Sequence, residues 1–397
     1  MTQRWQGQEY DPLAHEDFDT PHRVFAELRA TCPVAHSDAF NGFWIATRHA
    51  DIKAILDDPA EFTTTVRNVV PGASATGRLP PLHLDPPEHT PYRRAIDRAL
   101  GAQRLAAIEP VIEAHVAQLL DAFIAGGGGD FVEGFGSPLP ALLFADWFKL
   151  SEAQTQLLWR TAQAFVKAWE EFDVATVSKT SEILYDLARD LIAERRQHPL
   201  DPEIDPVSSL LAAADADGAP LPPEMLVGCV RQILVVGLVA PPVFLGSVAV
   251  HLARHPELAD QLRAAPDRIE AATEEFLRLY TPYRGFARTS RNGVTLGGRR
   301  IEPGEPIALA YASANRDEAV FEAPDEFRLD RPNVREHLAF GRGPHRCAGM
   351  AMARLEFRIA LRELLARTSR IELAGEVRMS GMPEVGPVYV PLKVVAA

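Results

Sequence analysis

Apolar residues recur at helical spacing over most of the chain and predict helices over 92–125, 151–198 with a break near Asp173, 224–254, 265–280 and 348–367. In the last of these, Phe357, Leu361, Leu364 and Leu365 share one face and leave Arg354, Arg358 and Arg362 on others. Strand patterns are few and short, at 43–46, 294–296, 306–310, 371–373 and 388–394, most of them bounded by Gly or Pro. Gly and Pro clusters at 71–91, 126–129, 199–206 and 217–223 interrupt the pattern without forming a long linker. The expected fold is mainly α with small peripheral β-sheets, built as a single domain over 1–397 with no internal repeat.

With 397 residues, 47% of them hydrophobic, the chain can bury a large core. Lys and Arg number 41 against 54 for Asp and Glu, and the resulting net charge of −13 argues against a nucleic-acid partner or an anionic lipid surface. The first residues, MTQRWQGQEY, show no apolar segment behind a basic start, so no leader is expected and a cytoplasmic protein is. The uncharged run 233–250 approaches the length of a membrane span, but Pro241 and Pro242 sit at its centre. A helix apolar on all sides is more simply the central helix of a soluble core. Cys32, Cys229 and Cys347 are too widely spaced for a local metal pair and odd in number, which leaves each as a thiol or thiolate.

Cys347 has the most distinctive surroundings. The segment 339–349 reads AFGRGPHRCAG and runs into the helix expected from Met350. Gly341, Gly343 and Gly349 let backbone approach a flat ligand, and Pro344 stiffens the loop. A sulfur just before a helix N-terminus faces unpaired N–H groups and the positive end of the helix dipole, which favours thiolate and readies it as a metal ligand. His345 and Arg346 add donors suited to carboxylates.

At Phe340, Gly341, Gly343, His345, Cys347 and Gly349 this segment resembles the heme-binding signature of the cytochrome P450 family, the heme-thiolate monooxygenases. The resemblance implies that Cys347 is the axial ligand of heme b, held between the distal central helix and the proximal helix after the cysteine loop, and that thiolate donation assists O–O cleavage. Glu275 and Arg278, in EEFLRLYTP, look like the family's Glu-x-x-Arg pair, with Arg331 in APDEFRLDRP as third member. Their implied role is structural. His89 and Arg93 lie four apart on one face of a helix expected from Thr90, and residues so placed in the family bind heme propionates. With Arg288 and His345 they offer four donors for two carboxylates. The stretch 312–321, ASANRDEAVF, resembles the family's connection between the Glu-x-x-Arg helix and the cysteine loop.

The distal helix departs from the family. Aligned on Gly237, the positions of the usual acid and threonine hold Val239 and Ala240, neither of which can donate a proton. Pro241 and Pro242 remove two N–H groups from an expected helix interior, at a cost of about 3 kcal/mol or more each, and deprive the carbonyls of Gly237 and Leu238 of their i+4 donors. The kink either holds a water or substrate hydroxyl, or replaces the bend usual in this helix. Three chemistries stay open: O2-dependent oxidation assisted by a substrate hydroxyl, peroxide-dependent oxidation, and an atypical coupling or desaturation. A non-catalytic heme sensor is the alternative from another class. The family's fatty-acid peroxygenases carry Arg-Pro at this point, and here the arginine is missing.

The expected activity is oxidation of a small, largely apolar organic molecule. Electrons would come from a separate ferredoxin and ferredoxin reductase, because no reductase is fused. Arg342, Arg346 and Arg354 offer a basic docking patch. Substrate contacts are expected from 62–84, 165–186 and 282–286.

Overall fold

The computed structural model describes residues 9–13, 17–72 and 78–397. The N-terminal residues read for a leader and the middle of the 62–84 stretch lie partly outside them.

Helices dominate. The predicted 151–198 segment forms Glu152–Glu170 and Val174–Gln197, with Asp173 capping the second through Thr176 N–H. The 92–125 pattern divides into Thr90–Arg98 and Ala102–Ala125. The 265–280 pattern becomes a short turn and the helix Ile269–Leu279, and the proximal helix runs from Met350 to Arg367. Helices Thr20–Thr31, His49–Asp57 and Pro138–Phe148 were not expected from the pattern. The third is apolar nearly all round, with Leu139, Leu143, Phe144, Trp147 and Phe148 buried, so no polar face marks its period.

The predicted 224–254 helix is two helices, Pro223–Val236 and Ala240–Arg254. Leu238 N–H closes the first on Val235 O at 3.0 Å, and Pro241 and Pro242 fall in the opening turn of the second. Prolines are tolerated there because first-turn N–H groups have no intrahelical acceptor, so the interior-proline cost expected above does not arise. By length and composition Pro223–Arg254 could cross a membrane, but 78% of its most apolar stretch is buried inside the protein.

The sheets are small. Five strands run in the order Val34–Ser37, Phe43–Ala46, Pro306–Leu309, Ala287–Ser290, Phe62–Thr63, with one parallel pair at Trp44 and Ile307. Strand Val294–Leu296 pairs with Arg299–Ile301 through Gly297 and Gly298, both at positive φ as a two-residue hairpin turn requires. The expected 388–394 strand divides into Pro387–Tyr389 and Pro391–Ala396. Between them the backbone of Val390 bonds the Asp130 carboxylate and Phe131 N–H, which carries the chain from one sheet to another.

Candidate active site

One cavity of about 640 Å³ gathers the residues expected to bind the cofactor and to line the distal side. Cys347, Phe340, Gly341, Gly349 and His345 reach it from the cysteine loop, His89 and Arg93 from the helix at Thr90, Arg288 from the five-stranded sheet, and Val236, Gly237, Val239 and Ala240 from the break between the two distal helices. Its volume is within the range of small-molecule sites.

The loop is wound by its own backbone. Cys347 N–H donates to Phe340 O at 2.8 Å, Gly341 N–H to Leu338 O at 2.9 Å, and Arg346 N–H to Gly343 O at 3.1 Å. Gly341 takes φ +63°, which favours glycine. Gly343 also takes a positive φ, +70°, and a Cβ there would lie 2.4 Å from Leu56 O. Cys347 is exposed only in the sense that it faces the cavity. Burial pushes its thiol up, and the Gly349 N–H, Arg93 and Arg354 pull it down without prevailing. The helix terminus therefore does not by itself create the thiolate expected above. Thiolate character comes with ligation of a metal, which deprotonates a bound thiol.

Four basic groups converge beside the loop. The His89 and His345 rings stand 4.6 Å apart between centroids. Burial, with Arg93 beside it, holds His89 down at about 4, and burial with Arg288 and His89 holds His345 down at about 3. His89 Nε2 is buried without a hydrogen-bond partner. Arg288, 6% exposed, donates to Ala287 O at 2.8 Å and is lowered by burial. Arg93 donates to Asp97 and to Pro344 O, bracing the loop as well as lining the cavity.

Behind the loop, Glu275, Arg278 and Arg331 lie outside the cavity and almost fully buried. Both Glu275 oxygens accept from Arg278, at 2.9 and 2.7 Å, and from Arg331, at 3.0 and 3.1 Å. The remaining arginine donors go to carbonyls of Asn315, Pro324, Glu322, Ala323 and Glu326. Asn315 then accepts Leu338 N–H on its side-chain oxygen at 2.6 Å, tying this hub to the entry of the cysteine loop. A buried charge is tolerable only with such full pairing.

The family model for cytochrome P450 matches residues 145–369. The chain is 31% identical to linalool 8-monooxygenase of Pseudomonas putida over 94% of its length and 96% of that protein's, and 33% identical to cyclomarin C epoxidase of Salinispora arenicola over 89% and 90%. The chain belongs to the cytochrome P450 family. The structure of the P450 CYP109Q5 from Chondromyces apiculatus superimposes with a TM-score of 0.86 at 28% identity, covering 98% of both chains. This P450 is an oxidoreductase that oxidises organic molecules with heme b as cofactor. The residues present fit that group: a cysteine thiol facing the cavity, and four basic side chains, one with an orphaned nitrogen, where two carboxylates would supply the missing countercharge.

Three features of the P450 escaped the sequence reading. Glu356, on the proximal helix, lines the cavity at 3% exposure, has one carboxyl oxygen without a partner, and is pushed up to about 8 by burial alone. Glu274 joins His337 and Arg354: burial pushes its carboxyl up, but their hydrogen bonds prevail and hold it at about 2. Arg354 also stacks on Phe340 at 4.7 Å, and Arg342 pairs with Asp57. Of the three arginines read as a docking patch, these two are already neutralised within the fold. The third feature is Arg231, on the first distal helix.

Proposed function

We propose that this P450 is a monooxygenase for which water or a substrate hydroxyl, not a distal side chain, delivers protons. The observation that carries this is the 237–240 break: it shares a cavity with Cys347, and its side chains offer no proton donor. The first distal helix ends at Val236 and the second begins at Ala240, so the carbonyls of Gly237 and Leu238 fall at the break and are offered to a water or hydroxyl entering the cavity. Heme b, when bound, supplies oxygen activation and transfer of one oxygen atom to the substrate.

Cys347 holds the iron, and His89, Arg93, Arg288 and His345 orient the cofactor by its carboxylates. Phe340, Gly341 and Gly349 give it a close, flat approach. Glu275, Arg278 and Arg331 keep the loop in place, while Gly237, Val239 and Ala240 shape the space left for substrate. Gly237 must lack a side chain, since a Cβ would lie 2.1 Å from the Phe144 ring. The whole chain acts as one catalytic domain fed by a separate ferredoxin and ferredoxin reductase, with the exposed Arg346 in the docking surface. Relatives named for oxidation of linalool and epoxidation of cyclomarin C support this reading.

The test is Ala240→Thr, assayed with ferredoxin, its reductase and NAD(P)H on a hydroxyl-free substrate and on its hydroxylated analogue. The added hydroxyl should raise product formed per electron pair on the first and leave the second nearly unchanged. Equal coupling of wild type and variant on the hydroxyl-free substrate, or product formed only with peroxide and none with the ferredoxin system, overturns the proposal.

A further inference from the structure

The cavity extends beyond the cysteine loop between the first distal helix and helices Glu152–Glu170 and Val174–Gln197, and Arg231 lies on that wall. It is 5% exposed. One terminal nitrogen donates to Ser181 Oγ at 2.9 Å and the other makes a long 3.4 Å contact to Gln232 Oε1, while Nε is buried with no partner. The guanidinium lies 5.4 Å from the Phe165 ring centre and 5.8 Å from that of Tyr185.

Among the described residues, no carboxylate pairs with Arg231. Burial weakens its hold on the proton, and among the described residues the one opposing influence is the Tyr185 phenol. Other buried arginines have carboxylates: Arg278 and Arg331 share Glu275, Arg195 has Asp205, and Arg29 has Glu318, while Arg104, orphaned at two nitrogens and without an ion pair among the described residues, still feels Asp146 and Asp205 and lies outside the cavity. His83, on the same cavity, is pushed down by burial and by Arg231 and Arg78, so it is held neutral and the field of the arginines is not offset there. A buried, uncompensated cation is costly unless its countercharge arrives with a ligand. The walls nearby are apolar, with Leu79, Leu82, Trp159, Val166 and Trp169.

We propose that Arg231 binds a carboxylate on the substrate, so that this P450 takes apolar molecules bearing a carboxylic acid. The inference rests on the reading of the cavity as a substrate site. Gly237 follows Arg231 by six positions, a rise of about 9 Å along the helix, so the acid is anchored away from the break and carbons remote from the carboxylate face 237–240.

The test is binding, independent of turnover. Dodecanoate, 4-phenylbutanoate and abietate, each beside its methyl ester, are titrated calorimetrically into the heme-loaded protein. At least one acid should bind tenfold or more tightly than its ester. Arg231→Gln should abolish that preference by weakening the acid and sparing the ester, and Arg231→Lys should keep part of it. The proposal is overturned if no acid exceeds its ester in the wild type, or if Arg231→Gln weakens acid and ester alike, as loss of a purely structural arginine would. The wild-type comparison stands even if a variant does not fold. Acid preference without product under any oxidant would sink the proton-delivery reading and leave this one intact.

Discussion

Glu356→Gln should make the protein more stable, by a margin that grows with pH. Burial raises the Glu356 carboxyl from 4.5 to about 8, so the folded protein keeps a proton that the unfolded chain has released. A carboxyl raised in this way costs nothing below its unfolded value, costs increasingly more as pH rises between the two values, and reaches its full penalty above the folded one. The slope is about 1.4 kcal/mol per pH unit, giving a penalty of about 2 kcal/mol at pH 6, about 4 at pH 8 and on the order of 5 at the plateau. Glutamine keeps the shape and cannot ionise. With an unfolding entropy of about 0.8 kcal/mol/K for a chain of 397 residues, the variant's advantage in melting midpoint should widen by about 3 °C from pH 6 to pH 8. Paired melts of the heme-loaded proteins by circular dichroism read this directly, and the infrared carbonyl band of a protonated carboxyl should be present in wild type at pH 7 and absent from the variant. A gap that stays constant or narrows over that pH interval would refute the reasoning.

Two further outcomes are expected. Cys347→Ser should eliminate the thiolate-type absorption of the reduced carbon monoxide complex while Cys32→Ser and Cys229→Ser retain it; a retained band in Cys347→Ser would remove that sulfur from the iron. Glu275→Gln strips the countercharge from two arginines that are almost fully buried and should cost about 3–5 kcal/mol in denaturant unfolding, with loss below about 1 kcal/mol contradicting the hub.

What the sequence disclosed was mostly local. The cysteine loop, the four-residue spacing of His89 and Arg93, and the three-residue spacing of Glu275 and Arg278 are all short-range patterns. Arg331, far along the chain from Glu275, was placed only by resemblance. Glu356 sits between Arg354 and Arg358 in a stretch that looks like a solvated face, and only packing of the proximal helix against Ala102–Ala125 and Ile269–Leu279 removes it from water. Strand Ala287–Ser290 reads as polar, yet all four of its residues are buried, which is how Arg288 reaches the cavity. Arg231 and Gln232 look like an ordinary polar interruption of an apolar helix; that no described carboxylate pairs with Arg231 is a property of the three helices around it. The same limit explains the distal segment, where apolar continuity over 224–254 concealed a restart that two prolines permit.

That restart has a lasting effect on what the site can do. Because Pro241 and Pro242 have no amide hydrogen, no rearrangement of the surrounding protein can knit the two distal helices into one uninterrupted ladder. The notch at 237–239 is written into the covalent chain, so guests can come and go there without the backbone having to open first.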